Sequence, residues 1–288
     1  MNLIQLKYFL AVCAHGTVSA AAQHLHISQP SLSAAIKALE DEFGVALFRR
    51  GRYGMTPTSE GDTLYNMSRD LISRAEQIEH TMNDLGKARK TLRLGIPPMI
   101  GSLLLPRIFH EFVEKNADVC LEITEGSRRE LLSRLSDDFV DMVLLPHTTP
   151  LESDLSSVHA ARFELVCCVS SDSPLAKRRT VGLAELGEVP LILFNDGFFQ
   201  TEQIKHRFAN TGITPNVLIQ TDQLSTVISM VSSGVGAGFM FEELVKNSSN
   251  IVALHLTEPI SADVSLAWKK DIRLKDAVRR MMEYIAKI

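Results

Sequence analysis

No stretch of this 288-residue chain approaches the ~20 consecutive apolar residues that cross a bilayer, so no spanning helix is expected. The N-terminus, MNLIQLKYFLAV, has neither a basic leader nor a small-residue cleavage site and does not read as an export signal. Only four cysteines are present, Cys13, Cys120, Cys167 and Cys168, and none has the spacing of a metal-ligand set. Without an export signal they read as buried thiols in a reducing, cytoplasmic compartment. Adjacent strand residues point to opposite faces, so Cys167 and Cys168 cannot pair without strain. Positive charge is also short: the net charge is −4, with 10 Lys and Arg against 9 Asp and Glu in residues 1–90 and 20 against 25 in residues 91–288. A nucleic-acid role must therefore rest on local clusters rather than on bulk charge. No internal repeat or low-complexity segment is visible. The length suffices for two or three domains with a substantial core.

What is present centres on residues 16–42, GTVSAAAQHLHISQPSLSAAIKALEDE. The pattern predicts a short helix from Val18 to Leu25 with a small-residue face at Ala21, Ala22 and Leu25, capped by Thr17 or Ser19. His26 and Ile27 make a turn. Ser28 then caps a second helix with Pro30 in its first turn, where a missing amide costs nothing. Leu32, Ile36 and Leu39 form one buried stripe of that helix. Gln29, Ser31, Ser33, Ala34 and Lys37 fall off the stripe as short polar or small groups near a helix N-terminus, a form suited to a DNA major groove. Before the hairpin, Leu3, Leu6, Phe9, Leu10 and Cys13 suit an amphipathic supporting helix.

After it, residues 44–61 read GVALFRRGRYGMTPTSEG. Val45, Leu47 and Phe48 can pack, Gly51 and Gly54 permit a tight hairpin, and Arg49, Arg50 and Arg52 cluster at its tip as in a wing meeting phosphates or the minor groove. Residues 1–90 resemble the N-terminal domain of the LysR-type transcriptional regulators. The resemblance is carried by Ala20-Ala21-Ala22, Leu25, SQPSLS at Ser28–Ser33, Ile36, Leu39-Glu40, Leu47-Phe48-Arg49-Arg50, Thr56-Pro57 and Gly61. It departs from the family at Ala34 and Ala35, where many members carry a longer basic or amide side chain. The DNA-contacting set it implies is Thr17, Ser28, Gln29, Pro30, Ser31, Ser33, Ala34, Lys37, Arg50 and Arg52.

Residues 58–89 contain only Gly61 and Gly86 as breakers, near the two ends. Leu64, Leu71, Ile78 and Leu85 repeat every seven residues, with Ser68, Ala75 and Met82 between them, an a/d seam that reads as a helix pairing with a second copy. Gly86 to Lys90 reads as a polar hinge. From Leu92 onward, apolar runs at 92–96, 119–124, 142–145, 165–169, 191–194, 217–220, 237–241, 251–256 and 264–268 are expected as strands. Helical periods are expected at 103–113, 128–135, 201–209, 224–232 and 274–285. This alternation implies parallel sheets covered by helices.

This second half resembles the family's effector-binding domain, which is similar to periplasmic solute-binding proteins. The resemblance implies an α+β multidomain chain: a winged helix-turn-helix over residues 1–60, a dimerisation helix and hinge over 61–90, and an effector domain over 91–288. That domain would form two α/β lobes, 91–162 with 266–288 and 163–265, around a cleft. Ligands of open α/β sheets sit beyond the carboxyl ends of strands at helix N-termini, which directs attention to residues 96–102, 125–127 and 195–201. Matched to the family's cleft, the expected ligand contacts are Met99, Ile100, Ser102, Ser127 and Phe199, with Thr221 in addition. The apolar character of Pro97, Pro98, Met99 and Phe199 suggests a small organic acid with some hydrocarbon surface. The implied partners are double-stranded promoter DNA, a small-molecule effector, a second copy assembling further to a tetramer, and RNA polymerase, with no membrane and no cofactor or metal.

An enzyme would have to draw on His147, His159, Asp141, Asp196 or Cys168, none of which falls in a nucleophile elbow, a Walker loop or a paired-ligand spacing. A solute-binding protein would need an export signal. Gly234-Val235-Gly236-Ala237-Gly238 follows a helix and precedes a strand, the reverse of a dinucleotide fingerprint, and reads as close backbone packing.

Overall fold

A computed structural model describes residues 1–51, 54–86, 90–246, 248–270 and 275–287. The chain divides into two compact units, Met1–Gly86 and Lys87–Ile288.

The first unit opens with helix α1 (Leu3–His15), where Asn2 Oδ1 accepts from the Gln5 amide and Gln5 Oε1 accepts from the Asn2 amide, each at 2.9 Å. This reciprocal cap fixes where the helix starts. α1 buries Leu6, Phe9 and Val12, while Leu3 is exposed and Leu10 and Cys13 are half-buried. The buried stripe thus runs through Val12 instead of the expected Leu3. Helix α2 (Val18–His24) is capped by Thr17, the chain reverses through His26 at φ 54°, and helix α3 (Gln29–Phe43) is capped by Ser28. Leu32, Ile36 and Leu39 are buried against Phe9, Ala21 and Leu47 in one core, as their spacing predicts.

The wing is a two-stranded antiparallel ribbon, β1 (Phe48–Gly51) and β2 (Gly54–Pro57). It is anchored on the turn after α1 by a bond from the Met55 amide to the Gly16 carbonyl, at 2.7 Å. Gly54 makes that approach possible: its φ is 132°, and a Cβ there would lie 2.4 Å from the same carbonyl oxygen.

Helix α4 (Ser59–Gly86) does not stand free at its start. Ser68 and Ile72 are buried and Leu64 is half-buried beside the first core. Expected from its a/d seam to pair with a second copy, the helix is at its start also packed on the unit's own core. Further along, Leu71, Ile78 and Met82 are 43%, 65% and 62% exposed, and Met67 is 68% exposed.

The second unit is built on a ten-stranded mixed sheet. Its strands are β3 (Lys90–Ile96), β4 (Val119–Glu125), β5 (Met142–His147), β6 (Leu155–Ser170), β7 (Thr180–Val181), β8 (Leu191–Phe194), β9 (Val217–Thr221), β10 (Ala237–Phe241), β11 (Ile251–Leu256) and β12 (Ile260–Lys269). Its helices are α5 (Pro98–Ile108, continued by a π-helical turn at Phe109–Val113), α6 (Arg128–Ser136), α7 (Phe199–Thr211), α8 (Leu224–Ser232), α9 (Glu242–Val245) and α10 (Asp276–Ile285). The strand order is β4-β3-β5-β12-β6-β10-β8-β9, with β11 on β6 and β7 on β11.

The βα units give parallel pairs on each side, β3 with β4 and β5, and β8 with β9 and β10. The middle is different. β6 and β12 are antiparallel along their full shared length, from Ile260↔Leu165 to Lys269↔Leu155. β6 then continues through Leu165–Ser170 against β10 and β11, and β12 pairs with β5 from Asp263. These two strands carry the chain between the lobes. The parallel arrangement expected throughout therefore holds for the flanks and fails at the centre. A large core of Leu, Ile, Val and Phe runs beneath both lobes, and a smaller one of Leu131, Leu135, Val140, Val143, Leu145 and Ala267 lies under α6.

Salt bridges tie α10 to the first strands. Arg280 donates to both Asp118 oxygens at 3.0 and 2.7 Å, and Lys90 lies 2.7 Å from Asp276. The Arg280 guanidinium holds the Asp118 carboxyl below its usual range, and the Lys90 ammonium does the same for Asp276. Because both folded-state values are depressed, their contribution is complete above the unfolded value of about 3.9 and disappears as pH falls through the folded values. An Arg280→Gln variant should accordingly lower the melting temperature at pH 6 but not at the lowest pH where the domain still folds, as followed by circular dichroism.

Candidate nucleic-acid interface and ligand cleft

Helix α3 separates its two faces cleanly. Opposite the buried stripe, Gln29, Pro30, Ser31, Ser33, Ala34 and Lys37 are all exposed. Gln29, Ser33 and Lys37 recur every fourth residue on one side, and Pro30 and Ala34 lie beside them, so these groups form one strip. Two members of the expected set have local duties. The Ser28 hydroxyl accepts from the Ser31 amide and lies 2.7 Å from the Ser31 hydroxyl. Thr17 Oγ1 accepts from the Ala20 amide at 3.2 Å, so Thr17, not Ser19, caps α2. Arg52 and the side chain of Arg50 lie outside the described residues, as does the side chain of Leu85. Arg49 is exposed on the ribbon.

Beside this strip but on a different side, Leu6, Phe43, Val45, Leu47, Met67 and Leu71 help line an open apolar groove of about 490 Å³. Ser68 is among its lining residues, and the Ser68 hydroxyl is buried without a hydrogen-bond partner among the described residues.

In the second unit, a cleft of about 550 Å³ opens where four strand ends meet four helix starts. The loop after β3 and α5 contribute Pro98 and Ser102, and β4 with the following loop contributes Glu125, Gly126 and Ser127. The loop after β8 supplies Asn195, Asp196 and Phe198, and the loop after β9 supplies Asp222, Gln223, Leu224 and Ser225. The first three loops are those predicted from the sequence. The fourth was missed; Thr221, the residue expected to contact ligand beside it, is not among the lining residues, and its hydroxyl accepts from the Gln223 amide at 3.2 Å in the turn into α8. Its signal was legible: a strand ending in Thr-Asp just before an apolar helix.

Individual expectations fare unevenly. Ser102 and Ser127 line the cleft. Met99, Ile100 and Phe199 do not; they are 2%, 0% and 6% exposed and belong to the core. The reason is helical phase: Pro98 starts α5, so Met99 and Ile100 turn inward, and at α7 the capping residue Phe198, itself a core residue at 5% exposure, lines the cleft in place of Phe199.

The cleft combines opposite charges. The first turns of α5 and α8 carry no side-chain cap, so amide donors and the positive helix ends remain open there. At α6 the Ser127 hydroxyl and Glu130 carboxylate form a capping box, with Ser127 amide to Glu130 at 2.8 Å. Glu125, Glu130, Asp196 and Asp222 line the space, and no lysine or arginine does so among the described residues. The Lys205 ammonium at 2.5 Å, with the Gln220 amide at 3.1 Å, lowers the Asp196 carboxyl below its usual range. Glu125 and Asp222 have no hydrogen-bond or ion-pair partner among the described residues. A backbone bond, Arg128 amide to Gly197 carbonyl at 3.2 Å, joins the two rims.

The residues considered for catalysis are dispersed. His147 lies 2.9 Å from the Ser265 hydroxyl and from the Thr149 carbonyl, and Arg162 and His159 face Asp263. Cys168 is wholly buried on β6, and desolvation raises its thiol well above the ordinary range. The same burial pushes Cys167 up to about 12. Cys120 alone is exposed, and Cys13 is partly buried with its thiol also pushed up to about 12, chiefly by burial. In the native protein one thiol, Cys120, should therefore react rapidly with Ellman's reagent, the other three reacting only on unfolding. A fast phase that survives Cys120→Ser would contradict this burial.

A winged helix-turn-helix with a bare polar strip, followed by a two-lobe α/β domain around a cleft, defines a ligand-responsive DNA-binding regulator. Residues 3–62 match the bacterial regulatory helix-turn-helix proteins of the lysR family, and residues 86–287 match the LysR substrate binding domain. The chain belongs to the LysR family of transcriptional regulators. It is 27% identical to the HTH-type transcriptional regulator CysB of Haemophilus influenzae over 99% of this chain and 90% of that protein. It is 26% identical to the RuBisCO operon transcriptional regulator of Allochromatium vinosum over 99% and 95% of the two chains. Among solved structures it is similar to HinK, a LysR family regulator from Pseudomonas aeruginosa, with a TM-score of 0.58, 26% identity and coverage of 99% and 97%. Its fold is also that of full-length CbnR complexed with target DNA, at a TM-score of 0.65, 21% identity and coverage of 100% and 99%.

Proposed function

We propose that this regulator acts in the cytoplasm as a homodimer, and as a tetramer of two dimers, on promoter DNA. Residues 1–60 would read the DNA, 61–90 would connect and pair the subunits, and 91–288 would bind the effector. Helix α3 enters the major groove with Gln29, Ser33, Ala34 and Lys37 toward the base edges. The alanine methyl suits a thymine methyl. Thr17, Ser28, Pro30 and Ser31 shape the helix entrance, and Arg50 and Arg52 grip backbone or minor groove. The observation that carries this reading is the exposed strip on α3 backed by a fully buried Leu32-Ile36-Leu39 stripe.

Pairing would run through Leu71, Ala75, Ile78, Met82 and Leu85, with Leu64 helping to form the base of the seam. Effector binding between the lobes would shift how dimers assemble and bend DNA, a coupling on the order of 1–3 kcal/mol, and thereby how RNA polymerase is engaged. The open helix starts support an acid as effector, held by Ser102, Ser127 and backbone amides. The unpaired Glu125 and Asp222 favour an acid that also carries hydroxyl or ammonium donors over a plain hydrocarbon acid. No catalytic step and no cofactor belong to this function.

Selection of bound fragments from genomic DNA, then footprinting, tests the reading: a two-fold symmetric protected site with half-sites near one or more helical turns apart is expected. No enrichment over random fragments at low salt would overturn it. Gln29→Ala should cost about 1–3 kcal/mol on the cognate site and relax its specificity, whereas Arg50→Ala should weaken all sequences alike. Equal losses on cognate and random duplexes for both variants, in fluorescence anisotropy, would refute that division of labour.

A further inference from the structure

The first turn of α3 leaves one long polar side chain uncommitted to its own helix. Ser28 and Ser31 are bonded to each other, and Pro30 has neither an amide donor nor a polar side chain. Gln29 reaches instead across the turn to α2, where its Oε1 lies 3.1 Å from the Ser19 hydroxyl. Ser19 is available because Thr17 already supplies the cap of α2.

We propose that Ser19 is the positioning residue that sets which way the Gln29 carboxamide faces, and so which base Gln29 reads. The proposal rests on the reading above that Gln29 meets base edges. A free glutamine surrenders rotamer freedom when it is ordered, and its two amide ends can exchange places. A hydroxyl donating to Oε1 removes that ambiguity before DNA arrives. The Nε2 donors are then turned away from α2, and Oε1 keeps one lone pair. That is the arrangement a bidentate pair with adenine needs, Nε2 donating to N7 and Oε1 accepting from the N6 amine. Without Ser19 the inverted amide is equally accessible, and an acceptor facing N7 gains nothing.

The test uses the full-length dimer and an operator selected from a random duplex pool, with single-base-pair variants of that operator. Ser19→Ala is expected to reduce discrimination at the one base pair read by Gln29 by about three- to tenfold, as loss of one hydrogen bond allows. Binding to random duplex and the melting temperature should stay unchanged. Ser19→Thr, which keeps the hydroxyl, should restore the wild-type profile. In a Gln29→Ala background, Ser19→Ala should have no further effect on specificity. An unaltered base profile for Ser19→Ala, or the same change with and without Gln29, overturns the proposal while leaving the regulator intact. A pool that yields no enriched sequence with wild-type protein would instead remove the DNA-reading assignment on which it rests.

Discussion

Introducing glutamate at both Leu71 and Ile78 should leave the protein monomeric in sedimentation velocity and reduce operator affinity by about 10²–10⁴-fold. The magnitude follows from geometry, not from any lost DNA contact. A dimer places its second reading helix at high effective concentration over the second half-site, and that gain vanishes when the subunits separate. Affinity for an isolated half-site should hardly change. Leu71 and Ile78 are exposed, 43% and 65%, so the variants have no buried site in which to strand a charge within the monomer. Neighbouring Met67 and Leu71 line the apolar groove beside the first turns of α4, and the buried Ser68 hydroxyl has no partner among the described residues. A contiguous apolar surface of this kind marks an association site on an otherwise ordinary domain. A variant that retained the dimer mass would place pairing on a different surface.

The second large effect concerns folding of the reading unit. Gly61 lies in the first turn of α4, where an added Cβ would sit 2.2 Å from the Leu47 carbonyl oxygen and 3.1 Å from Pro57 Cβ. At Gly54 the same addition meets the Gly16 carbonyl at 2.4 Å under a φ of 132°. In both cases the obstacle is backbone, which cannot swing aside as a side-chain tip can. Alanine at either position should therefore destabilise the unit by about 3 kcal/mol or more, combining overpacking with, at Gly54, backbone strain. For a unit of this size that corresponds to a fall of roughly 10 °C or more in its melting transition. Hydrogen exchange measured by mass spectrometry on the full chain would localise the loss to residues 1–86. Protection there equal to wild type would mean that the ribbon is not docked on the α1–α2 turn.

Local chemistry made much of this molecule legible beforehand. Caps at Thr17 and Ser28, the Leu32-Ile36-Leu39 period and the glycines flanking the ribbon each act within a few residues, and each has the structure its type predicts. The strands from Leu191 and Ala237 were equally plain, because fully buried strands read as unbroken apolar runs. The first half of β6 was not. Leu155–Glu164 is largely polar on one face and owes its strand to backbone pairing with β12, a partner about a hundred residues away. Long-range pairing of that kind leaves little trace in local pattern. The cleft followed the same division. Which loops line it could be read from strand–helix order, but which side chain of each loop turns inward depends on helical phase. A one-residue error there moved Met99, Ile100 and Phe199 from cleft to core.

The paired β6 and β12 have a mechanical consequence. A two-stranded ribbon resists stretching and shear, since either would break several backbone hydrogen bonds together, but it yields readily to torsion. Between the lobes only Ser261↔Glu164 and Ala262↔Phe163 lack a third strand on either side, so a twist concentrated there would move rim groups such as Glu125 and Asp222 farther than the floor between them. A ligand spanning the rims would thus act at a distance from that short hinge, on the same side as the Arg128–Gly197 rim bond.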